Sequence, residues 1–198
     1  MRITDHRYTR DRLRFDLALR MIRHEARTCT IRLCTGLTDD RIRKLYRSYV
    51  LACPEACTVR RRRGKSPRQI AYFTRNPAAH LEASLLAGLF GTVGLLDSCR
   101  TSAEAQRSLE FGELFCDAFE TYGHLWTRAQ LSFEHAWFLL FALARGEELK
   151  VEYCPACGGI FVRDAFVITQ DRCPLCRLKS DHRRSQRRLP APGRSASG

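Results

Sequence analysis

Two cysteine pairs, Cys154-Pro-Ala-Cys157 and Cys173-Pro-Leu-Cys176, are separated by fifteen residues, and no other feature constrains this chain as tightly. A two-residue gap lets each pair curl and turn both sulfurs toward one ion. Two such knuckles at this separation complete a tetrahedral four-thiolate cage, the pattern of a structural zinc site with zinc to sulfur distances of about 2.3 Å. Iron in the same cage is the main rival. Four thiolates leave no open coordination position, so we expect Cys154, Cys157, Cys173 and Cys176 to hold one zinc per chain that staples the fold and catalyses nothing. Gly158 supports the first knuckle because a residue without Cβ reaches positive φ; Arg177 takes the equivalent place in the second. A redox dithiol wants a single pair in a βαβ setting, which this stretch does not offer.

The staple fits the division of the chain. In 198 residues there is room for a medium domain followed by a small one that needs a metal to fold. We read residues 1–150 as a helical domain, 151–180 as a small zinc-ribbon-like lobe, and 181–198 as a disordered basic tail with Arg-rich and Pro-Ala-Pro-Gly stretches that have little to bury. Within the lobe, the β-prone runs Ile160-Phe161-Val162 and Phe166-Val167-Ile168 are expected as short strands. The fold class is therefore mainly α with a four-cysteine lobe. No sustained apolar period fills 54–77, which carries Arg60-Arg-Arg-Arg63 and reads as a basic loop. Helices then cover 78–146: one after Asn76-Pro77, one across Ser102 to Tyr122 ending near Gly123, and one across Thr127 to Ala144 ending near Gly146. Their aromatic stripes are core, not cofactor boxes.

Residues 15–50 give helix, tight turn, helix. Leu17, Met21, Ile22 and Ala26 fall at helical spacing from Phe15 to Cys29. Thr35-Gly36-Leu37-Thr38-Asp39-Asp40 supplies a turn glycine and a cap, and Ile42, Leu45, Tyr46 and Tyr49 continue on one face. The arrangement looks like a helix-turn-helix, although any helical hairpin with a glycine turn fits, and Arg32 stands where such motifs usually place a small residue. The exposed cations of the second helix, Arg41, Arg43, Lys44 and Arg47, suit phosphates or guanine edges. Arg61 and Arg62 of the basic loop, and Arg177 and Lys179 beyond the second knuckle, complete a three-part candidate DNA footprint. The balance of 34 Lys and Arg against 21 Asp and Glu, a net charge of +13, points the same way.

The opening Met1-Arg-Ile-Thr-Asp-His-Arg has no apolar signal core, and the longest apolar run, Ala83 to Leu96, is too short and glycine-rich to span a bilayer; the expected location is the cytoplasm, with no membrane partner. The remaining six of ten cysteines, at 29, 34, 53, 57, 99 and 116, are expected as small buried hydrophobes in that reducing compartment. No His, Asp or Glu constellation accompanies the closed metal site, so an enzyme is not expected.

Over most of residues 15 to 180 the chain resembles the FlhC family, the zinc-binding subunit of the bacterial FlhD/FlhC flagellar transcriptional activator. The likeness rests on Cys154-x-x-Cys157-Gly158-Gly159-x-Phe161-Val162 with Cys173-x-Leu175-Cys176, on Ala136-Trp137 in the preceding helix, and on Leu37-Thr-Asp-Asp-Arg-Ile-Arg-Lys-Leu-Tyr46. It implies a predominantly helical subunit that joins an FlhD-like partner in a hetero-oligomer, binds promoter DNA and recruits RNA polymerase to flagellar genes. It also carries the four zinc ligands onto Cys154, Cys157, Cys173 and Cys176. Two alternatives stay open: activators of this type on mobile elements, controlling transfer genes, and a zinc-stapled RNA-binding or adaptor protein.

Overall fold

A computed structural model describes residues 3–52, 59–62, 64–65, 67–97, 107–168 and 171–187. Eight helices and one hairpin are present among them: α1 (Ile3–Arg23), α2 (Thr28–Thr35), α3 (Asp39–Ala52), α4 (Ala71–Thr74), α5 (Pro77–Thr92), α6 (Leu109–Leu125), α7 (Phe133–Arg145), β1 (Leu149–Tyr153), β2 (Ile160–Asp164) and α8 (Pro174–Arg187). The protein is mainly α, as the periodicity implies. No helix of the described residues is long and apolar enough to cross a membrane.

The helix boundaries follow local chemistry. Asn76 accepts a hydrogen bond from Ala79 N at 2.8 Å and Pro77 supplies the first helical residue, so α5 begins where its missing N–H costs nothing. Ser108 and Ser132 cap α6 and α7 in the same way. Gly146, at φ 66°, ends α7 in the left-handed conformation, returning its N–H to Ala142 O. Gly123 does not stop its helix; α6 runs on to Leu125 and is capped by Trp126.

Three differences from the sequence reading have physical causes. The helix placed from Phe15 to Cys29 starts far earlier and is broken in two: α1 ends at Arg23, Glu25 turns the chain at φ 58°, and α2 begins at Thr28. The first half of α1 lacks an apolar stripe, and the i,i+3 pair Asp11–Arg14 and the i,i+4 pair Arg12–Asp16 support the middle of the helix. The run Phe166-Val167-Ile168 is a turn after β2, with Phe166 and Ile168 exposed, because β2 finds only β1 to pair with. Finally, α8 continues to Arg187, so its last turns occupy the beginning of the stretch read as tail; residues 188–198 lie outside the described ones, as do Cys53, Cys57 and Cys99.

One core joins α1, α2, α3, α5, α6 and α7, with Leu17, Met21, Ile31, Ile42, Leu86, Phe90, Phe115 and Phe133 all excluded from solvent. Burying each such side chain contributes about 1.5–3 kcal/mol. A close approach is made at Gly112 of α6, where a Cβ would sit 2.7 Å from Leu17 Cδ2 and 3.0 Å from Cys34 Cβ. Across the same contact, Arg20 of α1 reaches Glu113, Asp117 and Glu120 of α6 at 2.5, 2.5 and 2.7 Å, and His24 Nε2 meets Glu120 at 2.8 Å.

Two buried carboxylates are fully engaged. Glu134 of α7 accepts from Arg27 N at 2.8 Å and from Thr30 Oγ1 at 2.9 Å, capping α2 from a distant helix because Arg27 supplies no cap of its own. Glu82 of α5 accepts from Tyr122 Oη at 2.5 Å and Gln130 N at 2.9 Å, tying α5 to α6 and to the turn before α7. Such pairing is what makes a buried carboxylate tolerable.

Candidate metal centre and nucleic-acid interface

The antiparallel pair β1–β2, in register from Leu149↔Asp164 to Tyr153↔Ile160, brings Cys154 and Cys157 to the end of a hairpin. Gly158, at φ 70°, donates its N–H to Cys154 O at 2.8 Å, and Cys154 N returns to Gly159 O at 2.9 Å, which closes the first knuckle as expected of that glycine. A Cβ on Gly159 would lie 3.4 Å from Cys157 Sγ, at the near edge of ordinary van der Waals contact. The second knuckle works differently. Cys173 immediately precedes α8, and Cys176 N donates to Cys173 Sγ at 3.4 Å while Arg177 N donates to Cys173 O at 3.1 Å. A helix start supplies this turn, which is why Arg177 can stand where the first knuckle needs glycine.

The four sulfurs lie within 4.8 Å of one another, and Cys157 Sγ is 3.6 Å from Cys173 Sγ. Tetrahedral zinc with bonds of about 2.3 Å sets its sulfurs about 3.8 Å apart, so the cage has the right size. Its donor chemistry fits too. Burial opposes ionisation of Cys154, yet N–H groups of Cys173, Ala156 and Cys157 outweigh it and bring the thiol down to about 6. Hydrogen bonding with the Cys157 and Cys173 sulfurs pushes Cys176 up to about 12, and burial raises Cys173. A first thiolate forms readily and a last one does not, so full ionisation demands a cation. Cys154, Cys157, Cys173 and Cys176 are thus the residues that would hold a metal, and the ion would supply structural crosslinking.

The cage is fixed to the helical body through β2. His80 Nε2 lies 2.5 Å from Val162 O, and Ser84 Oγ accepts from Val162 N at 3.1 Å while donating to His80 O at 2.7 Å. Leu149 and Val162 belong to the main core, whereas Cys154, Phe161 and Cys173 form their own small cluster. No sequence signal singled out His80 or Ser84; both sit on an apolar helix whose partner becomes visible only when β2 packs on it. Of the other cysteines, Cys34 and Cys116 are buried as expected, with burial pushing the Cys34 thiol to about 12, while Cys29 is exposed.

The helix-turn-helix reading falls on α2 and α3. Gly36, at φ 67°, makes the turn, Thr38 caps α3 through Arg41 N at 3.4 Å, and Ile31, Cys34, Leu37 and Ile42 are buried between the helices and α1. Arg32 points outward and pairs with Asp39 at 3.2 Å, which is how a long side chain is accommodated at that position. Arg41, Arg43, Lys44 and Arg47 are all exposed. Arg41 lies over the Phe15 ring, and Arg43 is partly neutralised by Asp40 at 2.9 Å.

The basic loop lies against this unit: Tyr46 Oη donates to Val59 O at 3.2 Å, Arg60 N to Glu25 at 3.1 Å, and Arg27 to Gly64 O. Arg62 pairs with Glu25 at 2.7 Å, while Arg61 is exposed beside it. Arg177 and Lys179 are exposed on α8, at the metal lobe and not on the α3 face.

The chain thus joins a helical body, on which α3 exposes four cations, to a hairpin-and-helix lobe with a four-cysteine cluster. The family model described as flagellar transcriptional activator (FlhC) matches residues 6–189. The chain belongs to the FlhC family. No curated protein matches it.

Proposed function

We propose that the protein is the DNA-binding subunit of a cytoplasmic transcriptional activator, working with an FlhD-like partner in a hetero-oligomer to recruit RNA polymerase to flagellar promoters. The observation that carries the reading is the FlhC match across residues 6–189. In this account α3 presents Arg41, Lys44 and Arg47 to the duplex, Arg43 exchanges Asp40 for phosphate, and Arg61 and Arg62 of the adjoining loop extend the footprint. Arg177 and Lys179 give a second basic point on the lobe.

One structural zinc in the Cys154, Cys157, Cys173 and Cys176 cage holds that lobe in place. The protein acts by binding, without catalysis. The test is a mobility shift with the co-expressed FlhD-like subunit at modest salt. Promoter DNA should be retained over scrambled DNA by roughly a thousandfold or more in affinity; equal retention of both would refute sequence-specific activation.

A further inference from the structure

Two hollows lie side by side on the outer face of α7 and share Pro67 and Arg68 as a common wall. One, of about 590 Å³, is lined by Trp137, Phe138, Phe141 and Arg145; the other, of about 410 Å³, by Lys65, Tyr72 and His135. Together they make one trough. His135, Phe138, Phe141 and Arg145 succeed one another at steps of three or four residues, so the helical wall presents about 15 Å of continuous surface at 1.5 Å per residue. That is the length of about four stacked nucleotides at roughly 3.4 Å each.

The walls are aromatic and the rim is cationic. The Tyr72 and His135 rings stack at 4.3 Å with 13° between their planes, and Arg75 lies 4.2 Å from the Tyr72 centroid. Lys65, Arg68 and Arg145 are exposed at intervals along the rim. Burial, followed by the fields of Arg62, Arg75 and Arg27, holds His135 below its ordinary value, which marks this end of the trough as electropositive. Of the two acidic groups in the lining, Glu134 is committed to α2 and Glu148 sits at the far end.

We propose that this trough binds a short single-stranded segment of nucleic acid, with bases against His135, Phe138 and Phe141, Tyr72 backing the His135 ring, and phosphates on Lys65, Arg68 and Arg145. Ring-walled concavities with a basic rim suit bases that can be splayed from the backbone. Duplex DNA cannot use them, because its bases are stacked inside the helix and must be extruded at a cost of a few kcal/mol. The trough is walled by α7 and residues 65–72, a different set of side chains from the α3 cations Arg41, Arg43, Lys44 and Arg47, although the preceding loop joins the two.

The test uses the full-length, metal-loaded chain with Trp126→Phe, which leaves Trp137 as the remaining one of two tryptophans. Oligothymidylate or oligouridylate of about a dozen nucleotides should quench Trp137, whereas a duplex of the same length should leave Trp137 unquenched. The tighter of the two oligomers assigns the source as DNA or RNA; equal binding supports the shared chemistry. Adding Lys65→Ala, Arg68→Ala and Arg145→Ala should weaken binding at least tenfold and lower the salt slope by about 2, while the fold stays intact by circular dichroism. Three results would overturn the proposal: no quenching by either oligomer at low salt, undiminished binding by the triple variant, or a Trp137 response to the FlhD-like subunit alone, which would make the trough a protein-docking groove.

Discussion

Ser84→Ala removes the hydroxyl that joins the metal lobe to α5. Ser84 Oγ accepts from Val162 N at 3.1 Å, and both residues are buried. Val162 lies opposite Val151 in a hairpin of two strands, so β2 offers no further strand to take up the freed N–H. The other half of the serine's bonding, its donation to His80 O, costs little to lose because it is a local back-bond within the helix. The penalty is therefore the desolvated, unpaired Val162 N–H, about 1–3 kcal/mol. For a chain of this length about 2 kcal/mol lowers Tm by roughly 4–8 °C.

A control is built into the same helix. Thr92 makes the same kind of back-bond, to Gly88 O at 2.9 Å, but is exposed, so Thr92→Ala should change stability by less than about 0.5 kcal/mol. Thermal melts of both variants, with hydrogen exchange followed at Val162, decide the matter. A Ser84→Ala protein that melts with the parent and keeps Val162 protected would refute the coupling of lobe to body through this bond.

Gly112→Ala should destabilise by about 1–3 kcal/mol in urea melts, since its new methyl meets Leu17 Cδ2 and Cys34 Cβ at distances that force the buried Leu17 side chain to repack and press on α2. Hydrogen bonding from Arg20 holds Glu120 at about 2, below its ordinary 4.5. The lowered value means the unfolded chain binds more protons, so the stabilisation is complete above about pH 5 and fades as pH falls toward 2. Glu120 is partly exposed, so solvent screening limits the term to about 1 kcal/mol; Glu120→Gln should cost that much in urea at pH 7, with the gap to the parent narrowing at pH 4. Arg43→Ala with Lys44→Ala should weaken promoter binding by about tenfold in the complex without lowering Tm; unchanged binding would move the contact to the 59–65 loop or to α8.

What the sequence disclosed divides along a physical line. The cage was legible because metal chemistry fixes residue type and spacing locally, and α2–Gly36–α3 because an apolar period, a turn glycine and a Thr cap coincide within sixteen residues. The first half of α1 was not, because a helix without an apolar stripe leaves no periodic trace. Nor were the links made by Glu134, Glu82 and Ser84. Each joins residues from 40 to 107 positions apart, and a buried carboxylate or hydroxyl on an amphipathic helix announces itself only when its distant partner is in place. The trough along α7 was hidden for the opposite reason: Phe138 and Phe141 carry the same period as the core residues beside them, and only packing shows that they are half-buried.

The central claim is that Cys154, Cys157, Cys173 and Cys176 close around one structural metal ion. Native mass spectrometry of the purified chain, paired with thiol titration before and after chelation, tests it most directly. The account predicts about one zinc per chain in the parent, loss of the metal together with the folded lobe in Cys157→Ser, and four thiols that react only once zinc is withdrawn. A folded, metal-free parent whose four thiols react at once would contradict it.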